Sequence, residues 1–219
     1  MRTLRNIGLL AGGVLLLLGA VPASAQNAPS RDDIVAKLDK YQNDLELDVP
    51  ALRQQVTERS RMRGKNEPPP QKRPPVAPDL KQLPTFNVDI AFDVDTPIVQ
   101  PESYQSVGRI ADALVHSSLL PYNVLIVGHI EANGKREANA ILSQRRADAI
   151  REILVNTFKI SAKRIQSVGL GEEQLLDSAR PTAPANNQIQ IMTLSKIPEP
   201  TEQPAAAPQA KKQPAKKKK

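Results

Sequence analysis

Between Thr85 and Ser195 the apolar and polar positions keep a regular period, and that period changes several times. Phe86, Val88, Ile90 and Phe92 alternate with polar neighbours, which predicts a strand. Pro101-Glu102 opens a helical pattern carried by Tyr104, Val107, Ala111, Leu114 and Val115. Gly108 inside it costs about 1 kcal/mol relative to Ala. Asn123–Ile130 is a nearly unbroken apolar run, as a central strand covered on both faces would be. A long proline-free helix is expected from Gly134 to about Phe158. Ile165–Leu170 reads as a short strand, and Ile189, Ile191 and Leu194 mark a last one. The order βαβα, then two strands around an irregular loop, predicts an α/β (α+β) fold, a mixed β-sheet packed against helices.

Upstream the pattern is thinner. Ser30 and Asp33 have the spacing of a capping box, with Asp in place of the usual Glu or Gln, ahead of Ile34, Leu38, Tyr41 and Leu45. Asp48-Val49-Pro50 caps and starts a second helix carrying Leu52 and Val56. Residues 26–66 are therefore expected to form a charged helical segment, loosely docked or engaging a partner. Residues 67–84 contain Pro68-Pro69-Pro70, Pro74-Pro75, Pro78 and Pro84, which predicts an extended, semi-rigid linker. Such a linker would reach on the order of 50 Å. Residues 85–195 hold most of the aromatic residues and are the part able to build a core. Residues 196–219, rich in Pro and Ala and ending in Lys216–Lys219, are expected to be disordered.

Residues 1–25 read as an address rather than as structure. Arg2 and Arg5 precede the apolar run Ile7–Val21, and Ala23-Ser24-Ala25 supplies a cleavage site, the pattern of a secretory signal peptide. The run is short for a bilayer span of ~20 residues. No transmembrane span is expected after cleavage, so the mature chain is placed in the periplasm.

Composition narrows the chemistry. The 219 residues include no cysteine, which excludes disulfides, thiolate metal sites and a cysteine nucleophile. Two histidines cannot build a His-rich metal centre. His129-x-Glu131 lacks the Pro-Cys-x-x-Cys of zinc deaminases, and Ser143 has no Gly-x-Ser-x-Gly context. Neither an enzyme activity nor a cofactor is expected. The net charge of +7 is concentrated in part in the Lys-rich end, which is either simply solvated or drawn to an anionic surface. Nucleic acid is not expected as a partner, because export removes it and no aromatic platform accompanies the lysines.

The long helix holds an anomaly. With Ile141 at zero, Leu142, Ala149, Ile153 and Ile150 define an apolar sector expected to meet the sheet. Arg146 falls at about 140° and Asn139 at about 160°, inside it, while Arg145 and Arg151 fall outside as solvated charges. A cation on a packing face needs either an intradomain partner or a route to the rim. The further possibility is a guanidinium that presents its fork to a carboxylate ligand. Gly128-His129-Ile130-Glu131-Ala132-Asn133-Gly134 joins the central strand to this helix, so Glu131 and Arg146 are expected to converge and grip a zwitterion. His129 reads as a strand-end residue supporting that turn.

These residues resemble a known family. Gly128-His129-x-Glu131-x-x-Gly134, Asn139-x-x-Leu142-Ser143-x-x-Arg146-Ala147, Arg164-Ile165, Val168-Gly169-x-Gly171-Glu172 and Phe92-Asp93-Val94-Asp95-Thr96 resemble the OmpA-like C-terminal domain over residues 85–195. The resemblance implies a βαβαββ domain that binds peptidoglycan non-covalently, through the diaminopimelate of its stem peptide. By position it implies Glu131 for the ligand amine and Arg146 for its carboxylate, with Asn139, Asp93 and Asp95 lining the same groove. It also implies a link between the cell wall and the envelope. Neither a barrel nor a lipid anchor is expected in this chain, and the N-terminal helices and Lys tail are expected to engage an envelope protein or an anionic surface.

The chain departs from the family pattern. Glu131 stands for Asp, Ile130 for Thr and Ala138 for a common Tyr, and Asn186-Asn187-Gln188-Ile189-Gln190-Ile191 replaces Asn-Arg-Arg-Val-Glu-Ile. The missing arginines leave a second reading open, a structural or interaction module that keeps the fold without wall binding.

Overall fold

The computed structural model describes residues 29–40, 47–62 and 67–197. Residues 1–25, read above as a signal peptide, and nearly all of the Lys-rich tail lie outside the described residues, as do Tyr41 and Leu45 of the first helical stripe. Helix α1 (Arg31–Leu38) opens on the expected capping box: Asp33 N–H donates to Ser30 Oγ at 3.1 Å and Ser30 N–H donates back to Asp33. Helix α2 (Val49–Arg61) is capped by Asp48, whose Oδ1 accepts from Ala51 N–H at 2.9 Å.

The remaining elements are β1 (Thr85–Val88), α3 (Tyr104–Leu114), β2 (Tyr122–His129), α4 (Arg136–Glu152), β3 (Ile165–Gly171) and β4 (Ile189–Lys196). They form one mixed four-stranded sheet in the order β1-β4-β2-β3. β2 and β3 are parallel, joined through α4, whereas β4 runs antiparallel to both β1 and β2. The first strand is shorter than its alternation predicts. Beyond Val88 the chain leaves the sheet, and Phe92 instead bridges Val99 in a small hairpin. A π-helical turn, Ile153–Thr157, extends α4.

Alternation along the strands gives the sheet two apolar faces. Val124, Ile126, Ile165, Ile189 and Ile191 face α1, α3 and α4. Leu125, Val127, Val168, Leu170, Met192 and Leu194 face the other way.

What covers that second face corrects the expectation of a linker. Residues 67–84 are not extended. They form two 3₁₀ turns, Pro70–Lys72 and Pro78–Gln82, and bury Val76, Ala77, Leu80 and Leu83 against the sheet. Nor is α2 loosely docked, for Val49, Leu52 and Val56 join the same cluster. The free edge of β3 is met by Arg53, which donates to the Ser167 carbonyl from Nε at 2.9 Å and Nη2 at 2.6 Å. The physical reason is plain: a sheet with six large apolar residues on its second face needs a cover, and the widely spaced apolar residues of a Pro-rich stretch suffice. Leu80→Ala should therefore cost about 2–5 kcal/mol of stability, read from denaturant unfolding of the full chain. A spacer residue would change it by less than about 0.5 kcal/mol.

The orientation of α4 is a second correction. Its buried residues are Asn139, Ala140, Ser143, Ala147 and Ile150, while Ile141 is 44% exposed. The helix is thus rotated by roughly a quarter turn from the face expected for Ile141 and Leu142. Gly128 and Gly169 lie beneath it, and a Cβ on either would reach within 2.3 Å and 2.0 Å of the helix backbone at Ser143 and Gln144. The helix lies so close that small side chains, not large ones, face the sheet. Gln144 Oε1 even accepts from Gly169 N–H at 2.8 Å.

Candidate functional site

The predicted site residues fall into two groups at one end of the sheet. The first is the turn after β2. Glu131 is half-buried, its backbone N–H donating to Asn187 Oδ1 at 3.0 Å. Asn139 is buried beneath the turn and does not line an open groove: its Nδ2 donates to the Glu131 carbonyl at 3.2 Å, Asn133 Oδ1 at 2.9 Å and Glu172 Oε2 at 2.9 Å. That amide is a clamp on the turn, its two N–H bonds shared among three acceptors from the turn and from Glu172.

The second group surrounds Arg146. The Phe92–Val99 hairpin folds against α4, and Arg146 lies over the Phe92 ring with its guanidinium carbon 4.7 Å from the centroid. Its Nε donates to the Thr96 carbonyl at 3.0 Å, and no other hydrogen bond to protein forms at this side chain among the described residues. Burial pulls its pKa below the ordinary guanidinium value while Asp95 pushes it up; a guanidinium stays charged regardless. Asp95 sits at the hairpin tip with φ of 55°, a left-handed conformation that Asp adopts more readily than most residues. Asp93 accepts from Gln100 at 3.3 Å.

Arg146 and Glu131 form no ion pair with each other; the carboxylate nearest in influence to the cation is Asp95. Lys135 links the two groups, its Nζ lying 4.0 Å from Asp95 Oδ2. Asn139, which touches the Glu131 carbonyl, and Arg146 are seven residues apart. That spacing puts them on one side of α4, about 10 Å apart along its axis. Arg151, expected to be solvated, instead donates to the carbonyls of Ile165 and Ala162 at 2.8 and 3.1 Å.

His129 is buried behind the turn. Its Nδ1 lies 2.9 Å from the Gln174 carbonyl and its Nε2 2.8 Å from the side-chain amide of Gln190. Burial pulls its pKa below the ordinary value of 6.5, against the pull of those two hydrogen bonds. The unfolded chain takes up this proton near pH 6.5 and the folded chain only lower. Its stabilising contribution is thus complete above pH 6.5 and shrinks as pH falls toward the folded value. Denaturation midpoints should drop between pH 7 and 5.5, and Gln190→Glu, placing a carboxylate beside the ring, should flatten that drop.

A buried charge cluster outside both groups is not expected from the sequence, although Glu172 belongs to one of the resembled motifs. Glu172 and Glu173, directly after the Gly169-Leu170-Gly171 strand end, are buried and paired with Arg59, Arg73 and Arg136. Two adjacent carboxylates at the end of an apolar strand were the available signal. Among the described residues no three His, Asp or Glu side chains converge to hold a metal ion, and no helix is long and apolar enough to cross a membrane.

The chain is similar to several known proteins. The family model described as the OmpA family matches residues 91–188. The chain is 35% identical over 110 residues to outer membrane porin F of Pseudomonas fluorescens, covering 50% of this chain and 33% of the porin. It is 32% identical over 92 residues to the peptidoglycan-associated lipoprotein of Brucella melitensis biotype 1, covering 41% of this chain and 53% of the lipoprotein. The chain thus spans about a third to a half of the curated relatives it matches. Among solved structures, an outer membrane protein from Borrelia burgdorferi B31 is 26% identical with a TM-score of 0.41, covering 51% of this chain and 88% of that one. The peptidoglycan-associated lipoprotein from Burkholderia pseudomallei is 25% identical with a TM-score of 0.37, covering 50% and 87%.

Proposed function

We propose that this chain, whose residues 91–188 match the OmpA family model, is a peptidoglycan-binding module of the periplasm that recognises the diaminopimelate of the stem peptide and links the wall to the envelope. Arg146 takes a ligand carboxylate and Glu131 a ligand ammonium, with Asp93 and Asp95 on the hairpin fixing the cation's surroundings and Asn139 fixing the turn. The observation that carries the reading is Arg146 itself. It is half-buried on an aromatic ring and holds one carbonyl through Nε, and its two terminal amino groups carry no hydrogen bond to protein among the described residues. A planar fork held in this way is matched by a carboxylate. The absence of an ion pair between Arg146 and Glu131 leaves both charges for a ligand, and diaminopimelate is a seven-carbon diamino diacid that carries a carboxylate and an ammonium at each end. The relative named peptidoglycan-associated lipoprotein supports the wall as the polymer.

A specific observation favours a second reading. Asn187 stands where the resembled pattern has an arginine, and its side chain is spent on the Glu131 backbone. Under that reading the loop has been rebuilt for structure, and the domain serves only as an interaction module. Co-sedimentation of the mature chain with insoluble murein separates the two. Retention that free meso-diaminopimelate displaces is the expected result; the absence of such displacement would support the structural module.

A further inference from the structure

A cluster of charges lies in the seam between the N-terminal segment and the turn after β2, apart from Arg146. Arg136 forks onto Glu173, with Nη2 donating to Oε2 at 2.7 Å, and its Nη1 donates to Glu67 and to the Met62 carbonyl. Arg73 donates to Glu172 from Nη1 at 2.8 Å and holds its Nε 3.4 Å from the same Glu67 carboxylate. Arg59 completes the group, 3.4 Å from Glu173.

The carboxylates are not equivalent. The side chains of Glu172 and Glu173 are 3% and 1% exposed, and Glu172 is also fixed by Asn139. Glu67 is 27% exposed and comes from outside the domain that the family model matches. Without Glu67, three guanidiniums face two fixed carboxylates, and a half-desolvated positive charge is left unbalanced. An unpaired buried charge is unfavourable, so the position demands an anion. Beside it lies a cavity of about 410 Å³, lined in part by Glu67, Arg73, Arg136 and Glu172. Ala132 and Gly134, from the turn that carries Glu131, form its other wall.

We propose that Arg73 and Arg136 form a carboxylate-binding site that Glu67 occupies in place of a ligand, and that a carboxylate entering from the cavity exchanges with it. Two guanidiniums converging on one carboxylate are already present; exchange replaces one carboxylate with another and leaves the charge balance unchanged. Glu67, being tethered, competes at a high effective concentration and weakens the apparent affinity for any free ligand. The identity of the natural ligand, a free carboxylate of a wall peptide, rests on the function proposed above; the existence of the site does not.

The probe is glutarate, a dicarboxylate without an amine, titrated into the full chain by calorimetry. Glu67→Gln should bind it at least about tenfold more tightly than the wild type, since the internal competitor has lost its charge. Arg73→Gln added to Glu67→Gln should remove the gain, and Arg146→Ala added to Glu67→Gln should leave it intact. Equal or weaker binding by Glu67→Gln overturns the proposal. Thermal melting guards against a folding defect: glutarate should raise the melting midpoint of Glu67→Gln more than that of the wild type, and an equal or smaller rise again counts against the site. If murein retention fails while the glutarate gain persists, the ligand assignment is wrong and the site stands.

Discussion

Arg146→Ala is expected to lose nearly all diaminopimelate-sensitive retention on insoluble murein while the protein stays folded. The substitution removes the guanidinium proposed to meet the diaminopimelate carboxylate, and truncating one partner of a desolvated charge pair costs about 2–5 kcal/mol, or about 30-fold to several thousandfold in affinity. Stability should fall far less. The side chain gives the fold one hydrogen bond to Thr96 and a cation–π contact with Phe92, worth about 1–3 kcal/mol together. Arg146→Lys separates charge from geometry: an ammonium keeps the charge without the planar fork, so retention should be intermediate. Co-sedimentation across the three proteins, with circular dichroism melts alongside, checks the outcome.

The largest effect on stability is expected at Gly169. A methyl group there would sit 2.0 Å from Gln144 N and 2.5 Å from the Ser143 carbonyl carbon, both helix backbone. No rotamer relieves such a clash; α4 must lift off the sheet, along with the Gln144 bond to Gly169 N–H. Gly169→Ala should cost about 3 kcal/mol or more, lowering the melting midpoint by about 10 °C in a chain of this size. Gly108 in α3 is the control. A Cβ there meets only the Phe158 ring, at 3.7 Å, so Gly108→Ala should stabilise by about 0.5–1 kcal/mol through helix propensity.

The same glycines explain which parts of the fold were legible in the sequence. Strand periodicity located β2, β3 and β4, and capping chemistry at Ser30 and Asp48 located both N-terminal helices. The facing of α4 was not legible from apolar residues alone. Hydrophobic periodicity assumes that the largest side chains face the core, whereas here Gly128 and Gly169 bring the helix backbone down and favour Ala140, Ser143 and Ala147. Arg146 was therefore singled out as an intruder on a packing face that α4 does not have, although its half-burial is real. The docking of residues 67–84 was hidden for another reason. Val76, Ala77, Leu80 and Leu83 follow no helical or strand period, because irregular backbone buries side chains wherever the sheet offers space.

The candidate site was legible as chemistry rather than as geometry. Motif resemblance drew Glu131, Asn139 and Arg146 together, but the sequence could not tell that the Asn139 amide is consumed inside the turn. The resemblance did set Asp93 and Asp95 beside Arg146, but nothing in the sequence told that the guanidinium stacks on the Phe92 ring and donates to the Thr96 carbonyl. Contacts such as these depend on where two loops meet, and the intervening residues carry no record of it.

An NMR titration of the full chain with meso-diaminopimelate bears most directly on the pairing of Arg146 with Glu131 as the two ends of the ligand site. Saturable shifts should appear at the Arg146 Nε–H and at the backbone amides of Glu131, Asp95 and Thr96, and Arg146→Ala should abolish them. Shifts that leave the Arg146 Nε–H and the Glu131 amide unmoved, or that survive Arg146→Ala, would contradict it.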